Sequence, residues 1–246
     1  MRTACRFMCV AALAVLSGCG QDDITLPAQE SADVGECGEW YPGGGEDAGV
    51  LYGSDLGQTL PCFVWESVRR GEQSSSADPA AYADAYLSMG EIFLKSQTPG
   101  MSDLLEAQFG AAEAKGLLFV VAANNCGTCP TLMEATTSSR SALLGEGIIP
   151  IGVASFDSNS EGTEAMDLAS ADEIMVGDGL DEALYRTNDP DHFLGERSDF
   201  SEGFPFLIGV RLSDMQVMIR STPTTTTVNY YDGEGGLDIE FLEQAM

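Results

Sequence analysis

Basic residues and histidine are scarce in this 246-residue chain: 11 Lys+Arg stand against 39 Asp+Glu, for a net charge of −28, and His192 is the only histidine. So negative a field repels phosphate backbones, which argues against nucleic acid as a partner and against a basic phosphate cradle. It describes a solvated acidic surface. With one histidine, no four-ligand cluster can be assembled from adjacent cysteine and histidine pairs, as a zinc site usually requires. Long apolar runs are missing too, and the N-terminal run 10–16 is too short to span a bilayer as a stable helix. There is no internal repeat, and no low-complexity tract apart from the threonines 224–227.

What the N-terminus does hold is Arg2 and Arg6, then the run 10–16, then Leu16-Ser17-Gly18-Cys19. A charged start, a short apolar stretch and small residues before a cleavage point make a secretion signal. The pattern resembles bacterial lipoprotein signals, in which the cysteine becomes the lipidated first residue of the mature chain. On that resemblance, 1–18 is the signal peptide and Cys19 the lipidation site. The folded part is then extracytoplasmic, anchored to a bacterial membrane on its periplasmic side or at the cell surface. A plain cleaved signal peptide and a short membrane anchor are the alternatives. Removal of 1–18 leaves nine basic against 39 acidic residues, a charge of about −30.

Cysteine arithmetic follows from this reading. Cys5 and Cys9 leave with the signal and Cys19 carries lipid, so Cys37, Cys62, Cys126 and Cys129 remain. An even count in an oxidising compartment invites pairing, with Cys126–Cys129 and Cys37–Cys62 as the natural partition. Closing the 26-residue loop from Cys37 to Cys62 would contribute about 3 kcal/mol in the chain-entropy description.

The motif Cys126-Gly-Thr-Cys129-Pro130 follows the apolar run 117–123 and opens a segment that reads as a helix. At a helix start the first sulfur faces unpaired backbone N–H groups and the positive end of the helix dipole, which favour thiolate over thiol. The second sulfur lies one turn on, within reach of the first. Redox chemistry, a purely structural disulfide and half of a metal site are the three readings of such a pair.

Around the motif, residues 19–54 read as a flexible tether and irregular lead-in. The stretch 60–68 supplies an early strand, 69–79 a polar linker, and 80–95 a helix with Tyr82, Tyr86 and Met89 at helical spacing. Ser102 stands as the N-cap of a helix through Ala114. The runs 117–123 and 148–154 are continuous apolar, as expected of strands covered on both faces, and with the helix 127–143 between them they form a parallel, right-handed crossover. Segments 203–210 and 215–219 form a closing hairpin around Leu212-Ser213-Asp214, and 237–244 a last helix. One domain, 55–246, is long enough to bury a core.

This order of strand, CxxC helix, strand, helix, hairpin and last helix resembles the thioredoxin fold. More narrowly, it resembles the membrane-tethered extracytoplasmic redoxins of bacteria, lipoproteins included, over about residues 55–245. The resemblance implies an α/β three-layer sandwich, a central mixed β-sheet flanked by helices, with an N-terminal extension. It implies a thiol-disulfide oxidoreductase that needs no cofactor. Cys126 would be the nucleophile and Cys129 the resolving cysteine. Pro205 matches the family's cis proline and would expose the backbone of Phe204 to an extended substrate. The substrates would be protein or small-molecule disulfides and thiols, with a separate redox partner and the membrane as further contacts. An ordinary strand-start proline is the other reading of Pro205.

The chain also departs from the family. Asn125 stands where Trp often precedes the first cysteine, Thr128 stands where thioredoxin has Pro, and 117–123 lacks the buried acid that helps deprotonate the resolving cysteine. Slow resolution is the expectation. A peroxidase of the peroxiredoxin type wants Thr or Ser where Ala123 stands. A copper-handling protein would recruit His192 to the two cysteines, although His192 reads as a surface-loop residue among Asn188, Asp189, Pro190 and Asp191. A binding module with a static disulfide is the non-enzymatic alternative.

Overall fold

Eight consecutive apolar or small residues, Gly116–Ala123, are all buried, and the sheet is built outward from them. The computed structural model describes residues 40–42, 51–69, 86–111, 113–156, 166–194, 203–221 and 230–246, which all belong to a unit spanning Asp33–Met246. In chain order the elements are β1 (Val64–Trp65), β2 (Leu87–Ser88), α1 (Met89–Gln97), α2 (Ser102–Phe109), β3 (Gly116–Ala123) and α3 (Cys129–Gly145). They continue with β4 (Ile148–Phe156), α4 (Leu168–Gly177), β5 (Tyr185–Thr187), β6 (Phe206–Arg211), β7 (Gln216–Arg220) and α5 (Ile239–Ala245).

Five strands form one mixed sheet in the order β5-β4-β3-β6-β7. β3 runs parallel to β4 with Phe119 opposite Ile151, and antiparallel to β6 with Phe119 opposite Ile208. β5 joins parallel to β4, and β7 antiparallel to β6. Side chains alternate across a strand, so Leu117, Phe119 and Val121 enter one apolar layer with α1, α2, Trp65 and Leu87. Leu118, Val120 and Ala122 enter the other, with residues of α3, α4 and α5. Gly152 keeps the second layer close, since a Cβ there would stand 2.4 Å from Leu180 Cδ2 and 2.9 Å from Met175 Sδ.

Beyond β5 the sheet edge is continued by a bridge in which Arg69 N donates to Arg186 O at 2.7 Å and Arg186 N to Arg69 O at 3.2 Å. Both side chains are buried with Asp172 of α4. Arg186 Nε donates to Asp172 Oδ1 at 2.6 Å, and Arg69 Nε lies 3.5 Å from Oδ2. The pairing ties the edge of the sheet to the helix that covers it.

The expected elements are present in the expected order, with several boundaries corrected. The strand at 60–68 shrinks to Val64–Trp65. In the described part of 80–95, Leu87 and Ser88 are a strand, because they pair with Trp65 and Val64, and Tyr86 is half exposed. Ser88 then caps α1 by accepting from Glu91 N, an N-cap that places the helix start at Met89. Ser102 is not an N-cap. It is the first residue of α2, whose N-cap is Met101 without a side-chain bond, and the helix stops at Phe109 because Gly110 takes φ +79° as its C-cap. The CxxC helix runs Cys129–Gly145, not 127–143. The hairpin strands begin at Phe206 and Gln216, and the last helix begins after Asp238, whose side chain caps it. The helix after β4 is expected from the sequence without a range, and β5 is not expected from it at all. Trp40 and Tyr41, placed there in the lead-in, pack against Phe93 at centroid distances of 6.4 and 5.4 Å.

Candidate functional site

β3 delivers the chain to the end of the sheet, and Asn124-Asn125 turns it toward α3. Asn125 adopts φ +57°, the left-handed region in which asparagine is tolerated better than bulky residues. Cys126 follows the turn, and its carbonyl accepts from Cys129 N at 3.3 Å. Thr128 is the N-cap of α3, Cys129 its first residue, and Pro130 stands in the first turn, where no intrahelical N–H is required.

Cys126 and Cys129 form a disulfide, with their Cα atoms 5.4 Å apart. The two positions differ in environment. Cys126 is partly exposed and Cys129 fully buried in the apolar layer with Leu118, Val120, Leu132 and Met133. Beside the motif, Phe204-Pro205 is a cis peptide immediately ahead of β6. Phe204 is half-buried and packs against both apolar layers, and its carbonyl accepts from Thr128 Oγ1 at 3.2 Å. Four expected site residues, Cys126, Cys129, Phe204 and Pro205, therefore lie at one end of the sheet.

No family model matches the chain, and no curated protein matches its sequence. Solved structures do match. The reduced 2-Cys peroxiredoxin of Plasmodium vivax shares 11% identity at a TM-score of 0.41, over 77% of this chain and 93% of that one. The thioredoxin domain of a thiol-disulfide oxidoreductase from Bacteroides vulgatus shares 12% at 0.35, over 71% and 95%. DsbF from MTB shares 14% at 0.35, over 57% and 85%. The fold is thioredoxin-like. Its marks are the sheet order, the parallel β3-α3-β4 crossover, the antiparallel β6-β7 hairpin and the helices on both faces.

Other expected residues fall elsewhere. Cys19 and Cys37 lie outside the described residues, as does the whole of 1–18. Cys62 is disulfide-bonded and packs against the layer of Phe63 and Trp65. His192 is partly buried, at φ +55°. Among the described residues no three His, Cys, Asp or Glu side chains gather as a metal site, and no helix is long and apolar enough to cross a membrane.

Sequence reasoning missed Asp189. Assigned to a surface loop, it is fully buried. Its carboxylate accepts from Trp65 Nε1 at 3.1 Å, Phe193 N at 3.0 Å and Leu194 N at 2.9 Å. Burial pushes its pKa up to about 6, against the opposing effect of these hydrogen bonds. Asp189 and Asp172 are the buried carboxylates among the described residues. Asp172 is paired with arginine, and Asp189 is bonded to Trp65, whose ring packs on Phe119 in the layer opposite Cys129.

Proposed function

We propose that this chain is an extracytoplasmic thiol-disulfide oxidoreductase working through Cys126 and Cys129. The observation that carries the reading is the inequality of the two sulfurs: the pair opens a long helix, Cys126 is partly exposed and Cys129 is fully buried. Only the first is open to an incoming disulfide or thiolate. Reduced Cys126 attacks a substrate disulfide as thiolate, a mixed disulfide forms, and Cys129 attacks Cys126 to release the reduced product. The protein's own contribution to the thiolate is the start of α3. Phe204 packs against the apolar layer that holds Cys129, and with Pro205 it would seat an extended substrate.

In this reading Cys19 carries the lipid after removal of 1–18, Cys37 is the partner of Cys62, and a membrane-associated thiol or disulfide partner restores the pair after each turnover. The charge of −28 argues against a nucleic acid as substrate.

The test is a redox titration of Cys126 and Cys129 by alkylation mass shift across dithiol buffers. A reversible two-electron transition above about −300 mV is expected of a working couple. A pair still oxidised well below that value would make the disulfide structural and the protein a binding module.

A further inference from the structure

Threonine at an N-cap ordinarily turns its hydroxyl oxygen to a backbone N–H of the first helical turn. Thr128 makes no such bond. Its Oγ1 instead donates to the Phe204 carbonyl at 3.2 Å and lies 3.8 Å from Cys126 Sγ. A hydroxyl has one proton to give, so it serves one of these two acceptors at a time. In the disulfide the sulfur is a weak, neutral acceptor and the carbonyl holds the bond. Reduction reverses the order, because a thiolate is ionised and charge-assisted hydrogen bonds are about twice as strong as neutral ones. Both acceptors are already in range, so rotation about the C–O bond makes the exchange.

We propose that the Thr128 hydroxyl is a redox-linked positioning group. It holds the Phe204 carbonyl while Cys126 is oxidised. It turns to the Cys126 thiolate on reduction, which stabilises the thiolate and returns that acceptor position on Phe204 to an extended substrate. The proposal rests on the reading of Cys126 and Cys129 as a working dithiol.

Reduction by an external dithiol sets the sequence of events. One thiolate of the dithiol bonds to Cys126 Sγ as the Cys126–Cys129 bond breaks, and Cys129 leaves as thiolate and takes up a proton. The second thiolate of the dithiol then closes that molecule's own disulfide and expels Cys126 as the thiolate to which Thr128 turns. Two electrons pass from the dithiol to the pair.

Threonine 128 is tested with Thr128→Val, which keeps the shape and loses the hydroxyl, and Thr128→Ser, which keeps the hydroxyl. Full-length chains reduced with dithiothreitol are alkylated with iodoacetamide, and labelling at Cys126 is followed by peptide mass spectrometry as a function of pH. At pH 6 the valine variant should label Cys126 about tenfold more slowly than wild type, with serine within about twofold of wild type. Carbonyl ¹³C spectra give the second readout. The difference between wild type and Thr128→Val at Phe204 should be present in the oxidised protein and vanish on reduction. Equal labelling of valine variant and wild type, or a Phe204 difference that persists on reduction, overturns the proposal while the redox couple stands. A disulfide that dithiothreitol does not reduce in any of the three proteins removes the oxidoreductase reading as well.

Discussion

Trp65 and Asp189, 124 positions apart, meet in the core: the indole Nε1 donates to Asp189 Oδ1 at 3.1 Å. The same carboxylate receives the backbone N–H groups of Phe193 and Leu194, so one buried side chain fastens the loop after β5 to the layer holding β1. Phe193 is drawn with it into a stack on Phe63, centroids 4.3 Å apart.

That carboxyl makes stability depend on pH. Its folded pKa of about 6 lies above the ordinary aspartate value of 3.8, so between those values the folded state holds a proton that the unfolded chain has released. The contribution is full below the unfolded value and is lost as pH rises through 6, on the order of 3 kcal/mol in all and roughly half of that above pH 5. Asp189→Asn removes this dependence. The variant's deficit against wild type, measured by urea unfolding, should be larger at pH 5 than at pH 7.5 by about 1 kcal/mol. An unchanged deficit at the two pH values would mean that Asp189 does not titrate in this range.

Asn125 supplies the turn into the motif from the left-handed region. Asn125→Val should destabilise the fold by about 1–2 kcal/mol, since a β-branched side chain crowds the backbone there, while Asn125→Gly should stay within about 1 kcal/mol of wild type. Thermal unfolding of the oxidised proteins separates the two outcomes.

In the proposed cycle Cys129 would resolve without a buried carboxylate among the described residues: Asp172 is engaged with arginine and Asp189 is bonded to Trp65 in the opposite layer. Its proton must then leave to solvent, and the thiolate fraction of a buried thiol grows about tenfold per pH unit below its pKa. A mixed disulfide of Cys126 with a chromogenic aryl thiol should release that thiol about tenfold faster at pH 7.5 than at pH 6.5. A rate flat over this interval would point to an internal base.

Asp172 lies between two buried guanidiniums, those of Arg186 and Arg69. Asp172→Ala removes the carboxylate that the two guanidiniums share and should cost about 3–5 kcal/mol in urea unfolding. Asp172→Asn, which can still accept a hydrogen bond, should cost less. Equal losses would show that charge is not what the pair requires.

Two continuous apolar runs flanking a CxxC helix were enough to read a parallel crossover, because strands buried on both faces have no polar positions to spare. The pair Cys126–Cys129 was legible for a local reason, since residues three apart at a helix start must be neighbours whatever else the chain does. The Pro205 position was legible through resemblance. α4 and β5 were not readable as ranges, because a three-residue edge strand has no period to detect and Tyr185–Thr187 becomes a strand only by pairing with Ile151–Val153. The start of α1 was likewise decided by contact, with Leu87 and Ser88 recruited by Val64 and Trp65.

Charge sign, cysteine spacing and apolar patterning are properties of the chain alone, and they determined the class of fold and the closeness of the two cysteines of the motif. Tertiary structure decided which polar groups lost water. Asp189 sits in an Asn-Asp-Pro-Asp stretch that reads as surface, and Trp65, which meets it, is far away in sequence. The Thr128 hydroxyl bonds Phe204, 76 positions on, instead of capping its own helix. Hydrogen bonds and burial between distant segments are set by packing, and no local pattern of residues carries them.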